Sequence, residues 1–395
     1  MQSLFTQNVI AVIWDFDKTL TPSYMQAPLF KHFGVDEKTF WNEANGLEKF
    51  YRAGGAHNVS KDTLYLNPML TYVREGKFAG LTNDLLFKLG SKIEFYKGLP
   101  EFFARLKNEV GANRQFAKHG ISVEHYIVST GLRKMIEGSE IAPFVDGIWG
   151  CEFVEGTARP GYLDKGQQQL FQSPGHITDI AYAIDNTTKT RALFEISKGS
   201  NKEKDIDVNA TLAPEDRRVP FQNMIYIADG PSDVPAFSIV NQYGGRTIAV
   251  YKPALMDQFS QAAKLQEERR VQAVCEASYI AGSQADLTLS FAVNRIATKI
   301  VEAREAVLKA RVGVTPRHIL TDIPEAAVPA ATVPVDAIPV EQVPAVASPS
   351  DAAPADAASA ASEPALSKTP LLAKKPPTSD IGANETPSAV SDAGA

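Results

Sequence analysis

The chain has 395 residues, 44% of them hydrophobic, and a formal net charge of −6, enough apolar material for a sizeable core and more than one domain. Of its 40 basic and 46 acidic residues, four and ten lie beyond residue 312, so the remainder carries 36 of each sign and offers no basic surface for nucleic acid. No apolar run reaches transmembrane length, no basic region precedes an apolar stretch at the N-terminus, and Cys151 and Cys275 lack metal-ligand spacing, which argues against a membrane span, a signal peptide and a disulfide framework, and for a reducing, cytoplasmic setting.

The first predicted element is a strand over 9–14, apolar throughout and rich in Val and Ile, as suits a strand covered on both faces. Asp15-Phe16-Asp17-Lys18-Thr19-Leu20-Thr21 follows directly. Two carboxylates at the carboxyl end of such a strand sit where open α/β sheets bind ligands. Their desolvation and mutual repulsion call for a cation. The physical reading is a metal site with a reactive carboxylate. Residues 23–97 then carry Phe30, Phe33, Phe40, Trp41 and Leu47 at helical spacing, and 81–92 also reads as a helix. Pro100 opens another helix, with Phe102, Phe103 and Leu106 toward the sheet. A strand over 125–128 ends in Ser129-Thr130-Gly131, and a short helix follows over 132–138.

Strands are expected over 147–154 and 180–184, with a long polar stretch between them. Another, over 224–228, ends in Asp229-Gly230-Pro231-Ser232-Asp233. A strand over 248–251, a helix over 254–277, a last strand over 285–290 and a closing helix over 291–311 complete the pattern. This alternation predicts an α/β fold: a doubly wound, mostly parallel sheet with helices on both faces. Beyond residue 312 the chain turns to Ala, Pro, Ser, Val and Asp without an aromatic residue, a composition that predicts a disordered, partly polyproline tail.

The segment Asp15–Thr21 resembles the first motif of the haloacid dehalogenase superfamily, most of whose members are phosphatases. Ser129 after its apolar strand resembles the second motif, Lys189 in Asn-Thr-Thr-Lys the third, and Asp229 with Asp233 the fourth. Lys165 and Lys198 compete for the third. The insertion between the first two motifs resembles the helical cap of the phosphoserine phosphatase-like branch. The implied organisation is a Rossmann-like core of residues 1–22 and 98–312, a cap of residues 23–97 and a tail of residues 313–395. Ser232 stands where that branch usually has Asn.

The resemblance implies an Mg²⁺-dependent phosphomonoesterase acting on a small phosphorylated metabolite, phosphoserine being one of many candidates. Asp15 is the expected nucleophile and Asp17 the expected general acid and base. A hard cation would take oxygens from Asp15, Asp229, Asp233 and the Asp17 backbone carbonyl. The Ser129 hydroxyl, the N–H groups near Thr130 and Gly131, and the Lys189 ammonium would hold phosphoryl oxygens. The presence of Asp17 favours phosphoryl transfer over dehalogenation, since a departing halide needs no proton. The alternatives are a phosphotransferase or mutase, and a binding protein working through its tail with a protein partner. The six histidines lack zinc-site spacing. Trp41, Tyr51, Tyr65 and Tyr72 read as cap core, and Arg52 and Arg74 are candidates to reach over the site and bind a substrate anion.

Overall fold

A computed structural model describes residues 7–156 and 175–311. Lys165 and the tail from residue 313 lie outside the described residues. The sheet is built on β1 (Val9–Trp14), whose six residues are all buried. On one side β2 (Ser122–Leu132) runs parallel to it, followed by β3 (Gly147–Val154), also parallel. There β4 (Asp179–Tyr182) closes the edge antiparallel. On the other side β5 (Met224–Ala228), β6 (Arg246–Tyr251) and β7 (Ala273–Glu276) follow in parallel. The order is β4-β3-β2-β1-β5-β6-β7. The chain winds outward from β1, returns, and winds outward the other way. The switch falls between β1 and β5, where open α/β sheets leave a crevice at the carboxyl ends of the strands.

Helices cover both faces. Trp14 meets Phe102 and Phe103 of α5 (Glu101–Ala112) edge to face, with ring centroids at 6.0 and 5.4 Å. Ile13 points to the opposite face and registers with Tyr226 of β5. The Tyr226 ring meets Phe237 of α9 (Val234–Gln242) at 5.6 Å. So α5 and the long α11 (Gln284–Arg311) that packs against it cover one face, while α9 and α8 (Lys189–Lys198) cover the other. The short α6 (Arg114–Lys118) and α7 (Arg133–Glu137) flank β2, and α10 (Met256–Glu267) packs on β6 and β7.

Four helices separate β1 from α5: α1 (Ala27–Phe33), α2 (Glu37–Ala53), α3 (Leu66–Arg74) and α4 (Asn83–Gly90). Asp36 caps α2 by accepting the Thr39 N–H, and Thr82 caps α4 through Leu85. An aromatic cluster joins them, with Phe30–Phe40, Phe40–Tyr72 and Tyr72–Phe78 ring centroids at 4.8, 5.3 and 5.2 Å. No helix among the described residues is long and apolar enough to cross a membrane.

Two expectations are corrected. The helix expected over 254–277 stops at Glu267; Arg269 takes a positive φ of 58° and the chain returns as β7. Ile248 of β6 pairs with Ala273 there, so sheet pairing overrides the helix-forming composition. The strand expected over 285–290 is the first part of α11. Ser283 Oγ accepts the Asp286 N–H at 3.2 Å, while Asp286 accepts the Gly282 N–H at 2.7 Å. That reciprocal cap starts a helix whatever the apolar alternation beyond it.

His125 in β2 is fully buried. Trp14 Nε1–H donates to its Nδ1 at 3.2 Å, and its Nε2 lies 3.2 Å from the Phe103 carbonyl, so neutral imidazole with the proton on Nε2 satisfies both contacts. Burial, with the Lys107 charge adding to it, pushes the imidazole down to about 3. The folded protein therefore refuses a proton that the unfolded chain accepts below the ordinary value of 6.5. Stability from this group is full above that pH and is lost on acidification toward the folded value. His125→Leu is expected to lower the melting temperature at pH 7, because it strands the Trp14 N–H and the Phe103 carbonyl. Its melting temperature should then fall less than that of the wild type between pH 6.5 and pH 4. An equal or steeper fall in the variant would contradict this account.

Candidate active site

Four segments meet at the carboxyl end of β1. Asp15 leaves the strand with its N–H on the Ile227 carbonyl of β5. Its Oδ2 accepts the Thr19 hydroxyl at 3.2 Å. The turn beyond is tight: the Thr19 and Leu20 N–H groups both return to the Phe16 carbonyl, and Lys18 has a positive φ of 61°. The Tyr279 hydroxyl clamps the turn by donating to the Thr19 carbonyl at 2.7 Å. Asp17 takes the Met25 N–H on Oδ1 at 2.7 Å.

Lys189 opens α8. Ahead of it Asp185 gathers the Thr187 and Thr188 N–H groups and the Thr188 hydroxyl, while its carbonyl accepts the Lys189 N–H. This turn drives the lysine inward. Its ammonium is 2.7 Å from Asp15 Oδ1 and 2.7 Å from Asp233 Oδ1, and all three side chains are buried. Asp233 is also held by the Tyr226 hydroxyl at 2.6 Å and the Ser232 hydroxyl at 2.8 Å. Ser129 Oγ accepts the Gly131 N–H at 2.9 Å, which leaves its own O–H free to donate. Gly131 packs closely on Met25, whose Cε would lie 2.2 Å from a Cβ at that position, so a larger residue there would displace the Met25 side chain. The Met25 sulfur in turn accepts the Leu132 N–H.

Asp15, Asp17, Ser129, Thr130, Gly131, Lys189 and Asp229 line one cleft of about 490 Å³, roofed by residues of α2 and the 61–65 stretch. Asp233 lies buried behind it. A larger, more apolar hollow of about 640 Å³ near Tyr51, Val59 and Ile180 contains none of these groups. Lys198 points elsewhere, onto the Val208 and Ala210 carbonyls. Arg52 and Arg74 do not line the cleft; Arg52 pairs with Glu48 and Arg74 bonds to Thr71. Tyr72 belongs to the aromatic cluster as expected, whereas Trp41 and Tyr65 also line the cleft.

The four acids of the site outnumber the ammonium groups of Lys189 and Lys18 that act on them. Burial, then the Asp15 charge, pushes Asp17 up to about 8. Burial and the same neighbour raise Asp229 to about 7. Burial raises Asp15 to about 6 although Lys189 pulls it down. Oxygens of Asp15, Asp229 and Asp233 lie within 4.8 Å of one another. An all-oxygen set with this charge fits a hard divalent cation.

No family model matches the chain. An uncharacterised protein of Borreliella burgdorferi is 40% identical over 281 residues, covering 70% of this chain and 94% of that protein. The chain belongs to that protein's family. Its strand order is that of a doubly wound α/β sheet, and four loops meet at its switch point, the arrangement that the resemblance to the haloacid dehalogenase superfamily implies. Among solved structures it is similar to a haloacid dehalogenase family hydrolase of Salmonella enterica serovar Typhi, with 14% identity, TM-score 0.41, and 72% and 71% of the two chains covered. It is also similar to a phosphoserine phosphatase solved as a phospho-aspartyl intermediate analogue, with 17% identity, TM-score 0.36, and coverage of 67% and 91%.

Sequence reasoning missed Tyr226, Met25 and Thr19. A tyrosine in the middle of a strand buried on both faces was a usable signal, because its hydroxyl needs a partner. Lys189→Met leaves Asp15 and Asp233 buried without their ammonium. Unfolding free energy at pH 7 should fall by roughly 3–5 kcal/mol, the usual penalty for removing one member of a buried pair. Denaturant titration checks this, and stability equal to the wild type would remove Lys189 from the centre of the site.

Proposed function

We propose that the protein is an Mg²⁺-dependent phosphomonoesterase working through a phosphorylated Asp15, with helices α1–α4 acting as its cap. The convergence of Asp15, Asp17, Ser129, Lys189, Asp229 and Asp233 at one switch-point cleft carries this reading. Asp15, Asp229, Asp233 and the Asp17 backbone carbonyl would hold the cation. When bound, the ion would offset repulsion between the anionic nucleophile and the phosphate and stabilise charge as it develops.

The chain's own groups supply the rest. Asp15 attacks phosphorus, and the bond to the leaving oxygen breaks. Asp17 starts protonated near neutral pH, as its elevated value favours, and gives its proton to the departing alkoxide. The Met25 N–H occupies one Asp17 oxygen and leaves the other toward the substrate. Asp17, now a carboxylate, takes a proton from water as that water attacks the aspartyl phosphate. Asp15 and inorganic phosphate are released. The Lys189 ammonium and the Ser129 O–H hold phosphoryl oxygens throughout.

Wild type is expected to hydrolyse an aryl phosphate, to stop on chelation and to recover with Mg²⁺. Asp15→Asn should abolish turnover and with it the acid-stable, hydroxylamine-labile phosphate on the enzyme. Asp17→Asn should lose roughly 10²–10⁴-fold on alkyl phosphates and less on an aryl phosphate, whose leaving group needs no proton. Undiminished hydrolysis by Asp15→Asn would reject the nucleophile.

A further inference from the structure

The part of the cleft wall formed by α2 has a chemistry of its own. Lys38, Trp41, Asn42 and Asn45 fall at i, i+3, i+4 and i+7 on α2 and share one helix face. All four line the cleft. The opposite face of α2 buries Phe40 in the aromatic cluster, while the buried Ala44 borders the cleft. The side chains of Lys38, Asn42 and Asn45 make no hydrogen bond or close ion pair among the described residues. The other outer lysines are engaged: Lys61 pairs with Glu48 at 2.9 Å and Lys18 donates to Tyr24 at 2.9 Å. Lower in the wall Gln26 is only 2% exposed, and its buried Oε1 has no hydrogen-bond partner.

From this wall, and resting on the phosphatase reading above, we infer that the leaving group is a polyhydroxylated alcohol carrying a second anion: a sugar or polyol phosphate with a further phosphate or carboxylate. Carboxamides donate and accept at once, which matches hydroxyl groups, whereas an ammonium only donates and matches an anion. The Gln26 oxygen asks for a donor within the cleft, and a substrate hydroxyl provides one. The Trp41 ring, tilted against Tyr24 with centroids at 5.0 Å, offers an apolar face beside the amides. A cleft of about 490 Å³ falls in the range of roughly 300–1,000 Å³ that encloses mid-sized ligands, well beyond a three-carbon amino acid.

The test compares kcat/KM for a sugar bisphosphate, a phosphorylated sugar acid, a neutral sugar monophosphate, phosphoserine and an aryl phosphate. The wild type should favour one of the first two over the neutral sugar phosphate by about tenfold or more, as one charge-assisted hydrogen bond allows. Which of the two wins identifies the second anion. Lys38→Met should erase that preference through KM with kcat little changed, because the contact is made equally in ground and transition states. Asn42→Ala with Asn45→Ala should lower turnover of every sugar substrate relative to the aryl phosphate. Lys31→Met, on the exposed side of α1 and away from the cleft, should keep the full preference. A preference that survives Lys38→Met, or phosphoserine as the best substrate, overturns the inference while leaving the phosphatase reading intact. Failure to hydrolyse any member, the aryl phosphate included, overturns both.

Discussion

Lys189 is the charge on which the site is built. Its ammonium sits 2.7 Å from carboxylates contributed by two neighbouring strand ends, Asp15 after β1 and Asp233 after β5. Buried ions are tolerated only when paired and hydrogen-bonded. The geometry satisfies each member: Thr19 serves Asp15, and Tyr226 and Ser232 serve Asp233. Lys189 and the neighbouring Lys18 only partly offset Asp17 and Asp229, and burial holds both above the usual carboxylate range. That residual imbalance is the physical argument for a divalent cation. It also explains the elaborate turn at Asp185, whose bonds start α8 so that its first residue points into the sheet.

The same site is tied to the helices above it. The chain passes from Thr21 through Tyr24, Met25 and Gln26 into α1 without a break. Along that path the Met25 N–H fixes Asp17, and the Met25 sulfur receives the Leu132 N–H beyond Gly131. One buried methionine therefore bridges the acid-bearing loop and the Ser129 loop. Tyr65, from the far side of α2, donates to the Thr130 carbonyl at 2.8 Å. Movement of these helices would be felt at both loops, so access to the cleft and alignment of its groups are mechanically linked.

Much of this was legible from the chain alone because it depends on local chemistry. A strand buried on both faces must be apolar throughout, and acids at its end must be functional or compensated. Val9–Trp14 and Met224–Ala228 announced themselves in that way. The lysine was harder. Lys189 was the preferred candidate, with Lys165 and Lys198 as competitors; the Asp185 turn and the pairing with Asp15 and Asp233 bring Lys189 to the site, whereas Lys198 turns to the Val208 and Ala210 carbonyls. The Gln- and Glu-rich segment after Ala254 carries helix propensity through a stretch that the sheet claims as β7. Arg52 and Arg74 resembled ligands for a substrate anion, yet they serve Glu48, His57 and Thr71.

The sequence by itself determined the class of fold and the chemical character of the site, since both follow from strand composition and from acids set at strand ends. Tertiary structure alone decided which lysine joins them, which tyrosine and methionine brace them, and which face of α2 looks into the cleft. The choice of lysine depends on groups more than forty residues apart in the chain, as Lys189 and Asp233 are. Long-range pairing of buried charges is a property of the folded arrangement, because only there does low polarity make an unpaired partner intolerable.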